Sequence, residues 1–459
     1  MFEHILGQAA VSQLRSDKTA GMLAPSMLFS GPPASGKGTA ALELARILSC
    51  EDPEAPADCP CQACSRHRLL THQDVLSLGP RPFFAEISAA GACCCREPDP
   101  AGRLLLIRSV RKLLARFSPV LWEEDSRFKK VSESVFVLEE ALDEFSSLKP
   151  EALKKSVDRI LKNAVKLESE GMSELIPIGH IRRAAAWSHL APTGKRKMLL
   201  IENADRMQEG ARNGLLKILE EPPGSLSIVL TSSREKALLP TIISRLRPYR
   251  FIRRSQEVEA AVIRGVFKEG LPESLSTASQ GAAGIHTYLS SFLPVSEDSL
   301  RPLAALFAAF IARGTLILLK SKGVPFPEEL LALGKYAAAL TEAAALDKPG
   351  RDIQSVLATI MAGTEKFEIR GLFAQFLRIL LEVVMESRAS LGRARSPGLI
   401  GAMDIWRKST AEAALAVGTY NQSPVLALER LGTELMRGLS ERACYGIRYS
   451  QARDAGVLA

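Results

Sequence analysis

The chain has 459 residues, enough for about two to four domains, and 46% of them are hydrophobic and 24% charged, as in ordinary globular proteins. The net charge of +8 permits contact with nucleic acid, although a mildly basic surface explains it equally well. The most apolar stretch, Leu303 to Leu319, is interrupted by Arg313, and the first residues do not resemble a secretion signal. We therefore predict a cytoplasmic protein without a membrane span.

Strands and helices alternate along the first part of the chain. Met27–Phe29 and Asp74–Leu78 are predicted strands, and Thr39–Leu48 is a helix with one apolar side. Two further buried strands are predicted at Lys197–Ile201 and Ser227–Thr231, with helices between them. Strands that alternate with helices indicate an α/β fold with a parallel sheet and helices on both faces.

Residues 82–174 are predicted to be an insertion between elements of the sheet. We expect it to begin with a small cysteine-rich loop that contains Cys93–Cys95, whose thiols we interpret as free. Amphipathic helices should follow. Because their polar faces carry charges of both signs, a solvated helical hairpin is favoured, and recruitment of a partner is the alternative.

Helices are predicted throughout the rest of the chain. Residues 254–296 form a small helical region that ends in a linker, and residues 297–459 are rich in alanine and leucine. Prolines near 325–327, 349, 397 and 424 divide this last part, which predicts a bundle of about five or six helices.

A phosphate-binding loop runs from Gly31 to Thr39. The sequence GPPASGKGT follows a strand and opens a helix, as the G-x4-G-K motif requires, with its second glycine at Gly36. Backbone N–H groups would cradle phosphates, and Lys37 would neutralise their charge. Gly38 stands where Ser or Thr normally binds Mg²⁺, and Thr39 lies roughly 100° further around the helix. The motif therefore predicts phosphate-loop ancestry and leaves binding of ATP and Mg²⁺ open.

Two residues after the third strand bear on hydrolysis. Glu202 and Asn203 stand where a P-loop ATPase usually has its magnesium-binding Asp and its water-activating Glu. Glu202 could hold the water shell of a metal, whereas the amide of Asn203 takes no proton and cannot be a general base. Asp205 is predicted to cap or salt-bridge the next turn. This pattern favours a site that has lost the ability to hydrolyse ATP.

Four cysteines, Cys50, Cys59, Cys61 and Cys64, lie close together. A cytosolic chain of this length does not need disulfides, so we interpret the cluster as a structural zinc site with four thiolate ligands. A site of three thiolates completed by His67 and a set of free thiols are the alternatives.

The motifs occur in an order that resembles the delta-prime family of bacterial DNA polymerase III clamp-loader subunits, which belongs to the AAA+ superfamily with the gamma/tau subunits. Besides the phosphate loop and the cysteines, the resemblance depends on six segments: Gly7-Gln8, Thr71–Asp74, Ile178–Arg182, Asn213–Pro223, Leu239–Arg245 and Asn421–Glu429. Asn203 and Gly284, which stands where ATP-hydrolysing relatives carry a sensor arginine, favour the delta-prime type over gamma/tau.

The resemblance implies three domains and a set of partners. These are an AAA+ P-loop domain at 1–253, a helical lid at 254–296 and an all-α collar for oligomerisation at 297–459. The implied partners are the gamma/tau and delta subunits in a heteropentameric ring, which opens the sliding clamp and places it on primed DNA. Subunits of the delta-prime type serve largely as a rigid stator in this ring.

Several site residues follow from the same resemblance. Ser244-Arg245 matches the Ser-Arg-Cys motif of the family, with Leu246 in place of the cysteine, and Arg245 would act in trans as an arginine finger on the ATP of a neighbour. Ser232 lies where the first polar sensor belongs. The family's zinc module has the spacing C-x8-C-x2-C-x2-C, and here the interval from Cys59 to Cys61 is one residue shorter.

The sequence leaves three other functions open. The chain could be an active clamp-loader motor of the gamma/tau type, a nucleotide kinase, since GKGT also occurs in adenylate kinase-like loops, or a scaffold that binds no nucleotide. The kinase hypothesis leaves the helix at 213–223, Arg245 and the C-terminal bundle unexplained. ATP turnover by the purified chain distinguishes a motor from a stator.

Overall fold

The computed structural model describes residues 1–269, apart from 124, 126, 127, 146 and 174, and residues 284–292, 297–343, 369–389, 397–418, 420 and 422–454. The chain divides into two compact units, Met1–Leu293 and Pro294–Ala459.

A parallel sheet lies at the centre of the first unit. Its strands, among the described residues, are β1 (Ser26–Ser30), β2 (Val75–Leu78), β3 (Lys197–Ile201), β4 (Leu226–Ser232) and β5 (Arg247–Arg250). Their order is β2-β3-β4-β1-β5, and all pairs are parallel. The first four strands were predicted, with ends shifted by at most one residue. β5 was not predicted, because its sequence RPYR buries one side chain and contains a proline.

Helices cover both faces of this sheet, as predicted. In chain order they are α1 (Ala9–Thr19), α2 (Lys37–Ser49), α3 (Gln62–Arg68), α4 (Phe84–Arg96), α5 (Pro100–Leu114), α6 (Pro119–Trp122), α7 (Phe128–Phe145), α8 (Pro150–Gly171), α9 (Ile178–His189), α10 (Glu209–Glu220), α11 (Pro240–Ile243), α12 (Gln256–Phe267) and α13 (Ile285–Ser290). Alternate strand residues enter separate apolar clusters, Leu199 in one and Leu200 in the other. The buried core therefore has two layers, one on each face.

The insertion differs from its prediction in two respects. Cys93–Cys95 lies inside α4 and not in a loop, because the surrounding sequence is rich in alanine and other small residues that fit a packed helix. The helices also do not form a solvated hairpin. Leu106, Leu138 and Ile160 are fully buried in the same apolar cluster as Leu199 of the sheet. The insertion is thus part of the core of the first unit.

The predicted lid contains α12 and α13, and residues 270–283 between them lie outside the described part. Ile263, Phe267, Ile285 and Tyr288 form an apolar cluster that also includes Ala89 of α4. The lid helices are therefore packed against the insertion.

The second unit is helical in all the segments described. Its helices are α14 (Glu297–Ser321), α15 (Glu328–Ala343), α16 (Ile369–Ala389), α17 (Pro397–Gly418) and α18 (Pro424–Asp454). The predicted break at Pro349 and the predicted motif residue Asn421 lie outside the described residues. Within α14, Leu300–Ser321 is long and apolar enough to cross a membrane, with a mean hydropathy of 2.0. Half of it is buried against the other helices, as in the core helix of a bundle, so it does not indicate a membrane protein.

Candidate nucleotide site and candidate zinc centre

The phosphate loop connects β1 to α2 and requires its glycines. Gly31 has φ 145° and Gly36 has φ 93°, backbone conformations that side chains disfavour. A Cβ at Gly31 would collide with the carbonyl oxygen of Phe251, which follows β5. The loop therefore has the tight geometry of a phosphate-binding loop at the carboxyl end of β1, between β4 and β5 in the sheet.

Lys37 is folded back onto its own loop. Its Nζ donates to the carbonyl oxygens of Gly31 at 2.7 Å and Pro32 at 2.6 Å. Burial lowers the pKa of Lys37 to about 8, although the carboxylates of Glu202 and Asp205 oppose this shift. A phosphate group entering the loop would have to replace these carbonyl contacts.

Glu202 is held by arginines that sequence reasoning did not identify. It follows β3, is 6% exposed, and forms ion pairs with Arg116, which follows α5, and with Arg81 at 3.4 Å. Burial alone would raise the pKa of Glu202, but Arg116, Arg81 and Lys112 together lower it below its ordinary value. The carboxylate is therefore ionised, and guanidinium groups compensate the charge that a Mg²⁺ ion would otherwise compensate.

The lack of a side chain at Gly38 and the position of Glu202 are linked. A Cβ at Gly38 would lie 2.6 Å from Oε1 of Glu202, so the carboxylate occupies the space of a Ser or Thr side chain. Thr39, the next residue, is exposed. In this arrangement the loop lacks the hydroxyl ligand for Mg²⁺, and the acidic ligand is already paired.

We expect Arg116→Met to lower the free energy of unfolding by about 3 to 5 kcal/mol at neutral pH, because it leaves the buried carboxylate of Glu202 with only the longer contact to Arg81. The double variant with Glu202→Gln should recover most of this loss. Since a protonated Glu202 needs no partner, the loss in the single variant should also shrink as the pH falls. Urea unfolding of the four proteins of this cycle measures the effect, and equal losses in the single and double variants would contradict it.

The other residues after β3 and β4 form a separate polar network. Asn203 has φ 50°, and its side chain donates to the carbonyl oxygen of Pro80 at 2.7 Å. Ser232 is fully buried and donates to Oδ1 of Asp205 at 2.7 Å, and Arg234 pairs with Oδ2 at 3.0 Å. Asp205 thus forms the predicted ion pair, but with a residue beyond β4 and not within the next turn. A contact of Ser232 with nucleotide stays a prediction.

Arg245 lies at the surface between α11 and β5. Its guanidinium donates to the carbonyl oxygen of Thr241 at 2.8 Å and pairs with Glu220 at 2.8 Å, at the end of α10. Leu246, which replaces the cysteine of the family motif, is buried in the apolar core. The arginine is therefore oriented by two contacts, and its exposed position allows it to reach another molecule.

Gly284 begins α13 with extended backbone. A Cβ at this position would collide with the carboxylate of Glu259 in α12, so a longer side chain here would displace Glu259. The sensor arginine that the resemblance expects of an ATP-hydrolysing subunit is replaced by a close helix contact.

The four clustered cysteines converge after α2. Cys50 follows α2, Cys61 caps α3 and Cys64 lies within it, and with Cys59 their sulfur atoms all lie within 4.8 Å of one another. A tetrahedron of thiolates about 2.3 Å from a zinc ion places its sulfurs at similar distances. Burial alone would raise the pKa of Cys61, but N–H donors from Glu51 and Cys64 lower it to about 7. The short spacing does not prevent a four-thiolate set, and these residues fit zinc.

One arginine lies directly behind this cluster. Nη1 of Arg46 is 3.1 Å from the sulfur of Cys64, and the same guanidinium binds Glu43 and the carbonyl oxygens of Ala55 and Pro56. It ties the loop between Cys50 and Cys59 to α2 and compensates thiolate charge. His67 does not belong to the sulfur cluster. Its ring stacks on His72 with a centroid distance of 4.2 Å.

The sheet order and the phosphate loop define a P-loop α/β protein of the AAA+ class. The family model described as "DNA polymerase III, delta subunit" matches residues 7–255, more than half of the chain. The chain belongs to this family, which is a clamp-loader family of DNA polymerase III.

Two known proteins are similar to the chain. DNA polymerase III subunit delta' of Pseudomonas aeruginosa is 40% identical over 80 residues, which cover 17% of this chain and about a quarter (24%) of that protein. A gamma subunit-related protein of Thermotoga maritima, solved as a crystal structure, matches 94% of this chain and 99% of its own with 18% identity and a TM-score of 0.37. Because the TM-score of this structural match is below 0.5, the match supports no further conclusion.

Proposed function

We propose that this chain is a non-hydrolysing clamp-loader subunit, a stator in a ring with gamma/tau and delta subunits. The ring would open the sliding clamp and place it on primed DNA during replication. Arg245 would serve the ATP of a neighbouring subunit. The pairing of Glu202 with Arg81 and Arg116 over Gly38 carries this proposal, because it removes both protein ligands of the hydrolytic metal in one arrangement.

The attachment of the lid gives a second line of support. Arg254, just before α12, donates to the carbonyl oxygens of Leu6 and Ala34, which lie in the N-terminal segment and in the phosphate loop. Arg96 of α4 donates to the carbonyl oxygen of Phe267, and Lys268 pairs with acidic residues after α4. A motor needs its lid to move with the nucleotide cycle, whereas these contacts favour a lid held in one position.

The exposure of Arg245 supports a role in trans. Arg245 precedes β5 and the phosphate loop follows the parallel neighbour β1, so the two lie at opposite ends of these strands, and its partner Glu220 is half-exposed. An exposed ion pair contributes little to stability, so Arg245 can exchange Glu220 for the phosphates of another subunit at low cost. The planar guanidinium suits the charge that develops on a transferred phosphoryl group.

We expect the purified chain to show no ATP turnover above background, and Lys37→Ala to leave this unchanged, because metal ligand and general base are both missing. Phosphate release, measured at saturating ATP and Mg²⁺, tests the proposal. Turnover at the rate of a competent motor that Lys37→Ala abolishes would favour a gamma/tau-type ATPase. Transfer of phosphate to a nucleoside monophosphate would favour a kinase.

A further inference from the structure

A cavity lies beside the phosphate loop. It is enclosed by the sheet, the insertion and the cysteine module, which is the segment from Cys50 to the end of α3. Its apolar wall is formed by α2, β2 and β3 through Leu42, Val75 and Leu200. Two histidines, His67 and His72, come from α3 and the segment after it. No residue of the loop 31–37 belongs to its lining among the described residues, so it is distinct from the phosphate loop.

The polar lining of this cavity is mainly cationic. Arg81, Arg111, Lys112 and Arg116 contribute to it, and Glu202 is the acidic residue of the described lining. A second acid, Glu86, pairs with Arg81 and Lys112 from outside the lining. Four basic side chains therefore face two carboxylates that pair with three of them, and the charge of Asp143 acts on the fourth, Arg111. Buried charges are normally compensated, so this excess of positive charge indicates a missing anion.

Two residues that line the cavity each carry a buried nitrogen atom without a partner in the part of the chain that the structure describes. Nε of Arg116 and Nε2 of His67 form no hydrogen bond within the described part of the chain, and each residue is 5% exposed. A buried polar atom without a partner costs free energy, and a bound ligand is one way to satisfy it. His72 accepts from the N–H of Asp74 through Nδ1, which leaves Nε2 to carry the ring proton as a donor.

The positive charges around the cavity also disfavour the charged form of Lys112. Burial, followed by the charges of Arg81 and Arg108, lowers the pKa of Lys112 well below its ordinary value. An anion in the cavity would reverse this effect and would stabilise the charged lysine. Within the described residues, Arg111 makes one hydrogen bond, at 2.7 Å to the carbonyl oxygen of Leu69, and its other donors are available there to a ligand.

We propose that this cavity binds a phosphate dianion, either inorganic phosphate or the phosphate of a small phosphomonoester. Arg111, Lys112 and Arg116 would supply charge-assisted hydrogen bonds, and the histidines would close the site on the side of the cysteine module. The ligand would join the insertion to the sheet and to α3. The site would be occupied without Mg²⁺, because the protein already supplies the cations.

Thermal unfolding of the 459-residue chain, purified with zinc present, tests the proposal, with inorganic phosphate titrated against chloride at constant ionic strength. We expect a saturable rise in Tm. Arg111→Gln should weaken the apparent affinity for phosphate about tenfold, since it removes charged donors while most of the side-chain volume remains. The matched control is Arg264→Gln, the same charge change at an exposed residue of α12, which should leave the affinity unchanged. Arg116→Met is a second variant, and it should abolish the response if it folds.

Lys37→Ala separates this cavity from the phosphate loop. If Lys37→Ala removes the response to phosphate and Arg111→Gln does not, phosphate binds in the loop and the proposal is wrong. No saturable response, or equal effects of Arg111→Gln and Arg264→Gln, would also overturn it. AMP serves as the phosphomonoester probe. An Arg111-dependent response to AMP identifies a site open to phosphomonoesters, whereas a response to phosphate alone identifies the free ion as the ligand.

Discussion

Arg245→Ala is expected to lower ATP turnover of a clamp loader reconstituted with its gamma/tau and delta subunits by at least about tenfold. Arginine fingers contribute about 10³ to 10⁵ in rate at the site they serve, and a loss of this size limits the whole ring when its ATP sites must act in sequence. Arg245→Lys should restore little, because an ammonium cannot bind the phosphate bidentately. Steady-state phosphate release in the presence of the clamp and primed DNA measures the effect.

Arg250→Ala is the matched control for this experiment. Arg250 ends the same β5 that follows Arg245 and is also exposed, with an acidic neighbour, Glu235, at 3.9 Å. If the two substitutions have the same effect on turnover, a general loss of surface charge explains it. Turnover that is unaffected by Arg245→Ala, in a ring that still assembles, would reject the finger.

Cys64→Ser is expected to remove zinc from the chain and to lower its free energy of unfolding by at least about 3 kcal/mol. Cys64 is a fully buried member of the cysteine cluster, and the binding free energy of a structural zinc ion would contribute directly to folding. Metal content of the purified protein and denaturant unfolding, with and without a chelator, measure the two effects. The chelator should destabilise the natural chain and leave the variant unchanged.

Cys95→Ser is the control for the cysteine substitution. Cys95 is the exposed member of the three consecutive cysteines in α4 and lies outside the sulfur cluster. The Cys95→Ser variant should retain about one zinc ion per chain and the full stability of the natural chain. If Cys64→Ser keeps its zinc, the set of four thiolates is wrong. A loss of stability without any zinc in the natural chain would mean that the cysteines are buried free thiols.

The insertion contacts the acidic residue beside the phosphate loop, the lid and the cationic cavity. Through Arg116 it neutralises Glu202, and through α4 it packs against both lid helices. The same segment lines the cationic cavity with Arg111 and Lys112. If these features act together, the insertion fixes the phosphate loop, the lid and the cysteine cluster relative to one another, which is the mechanical property that the proposed stator role requires.

Much of the fold and of the candidate sites could be predicted from local sequence patterns. The four buried strands, the phosphate loop and the cysteine cluster each have a signature within a few residues, because hydrophobic runs, glycine spacing and cysteine spacing are local consequences of structure. Asn203 and Gly38 were equally informative, since a side chain that cannot do the chemistry is visible in the sequence. β5 was missed because an edge strand with one buried residue has no such signature.

The tertiary structure decided which cations pair with Glu202 beside the phosphate loop. Arg116 lies 86 positions before Glu202 and Arg81 lies 121 positions before it, and nothing local marks these two among the 59 lysines and arginines of the chain. Their role depends on how the insertion packs against the sheet, which amphipathic periodicity does not specify. The sequence by itself determined which chemical groups are present and absent at the phosphate loop. Only the packing of distant segments determined which cations surround Glu202, because such contacts depend on the three-dimensional path of the chain.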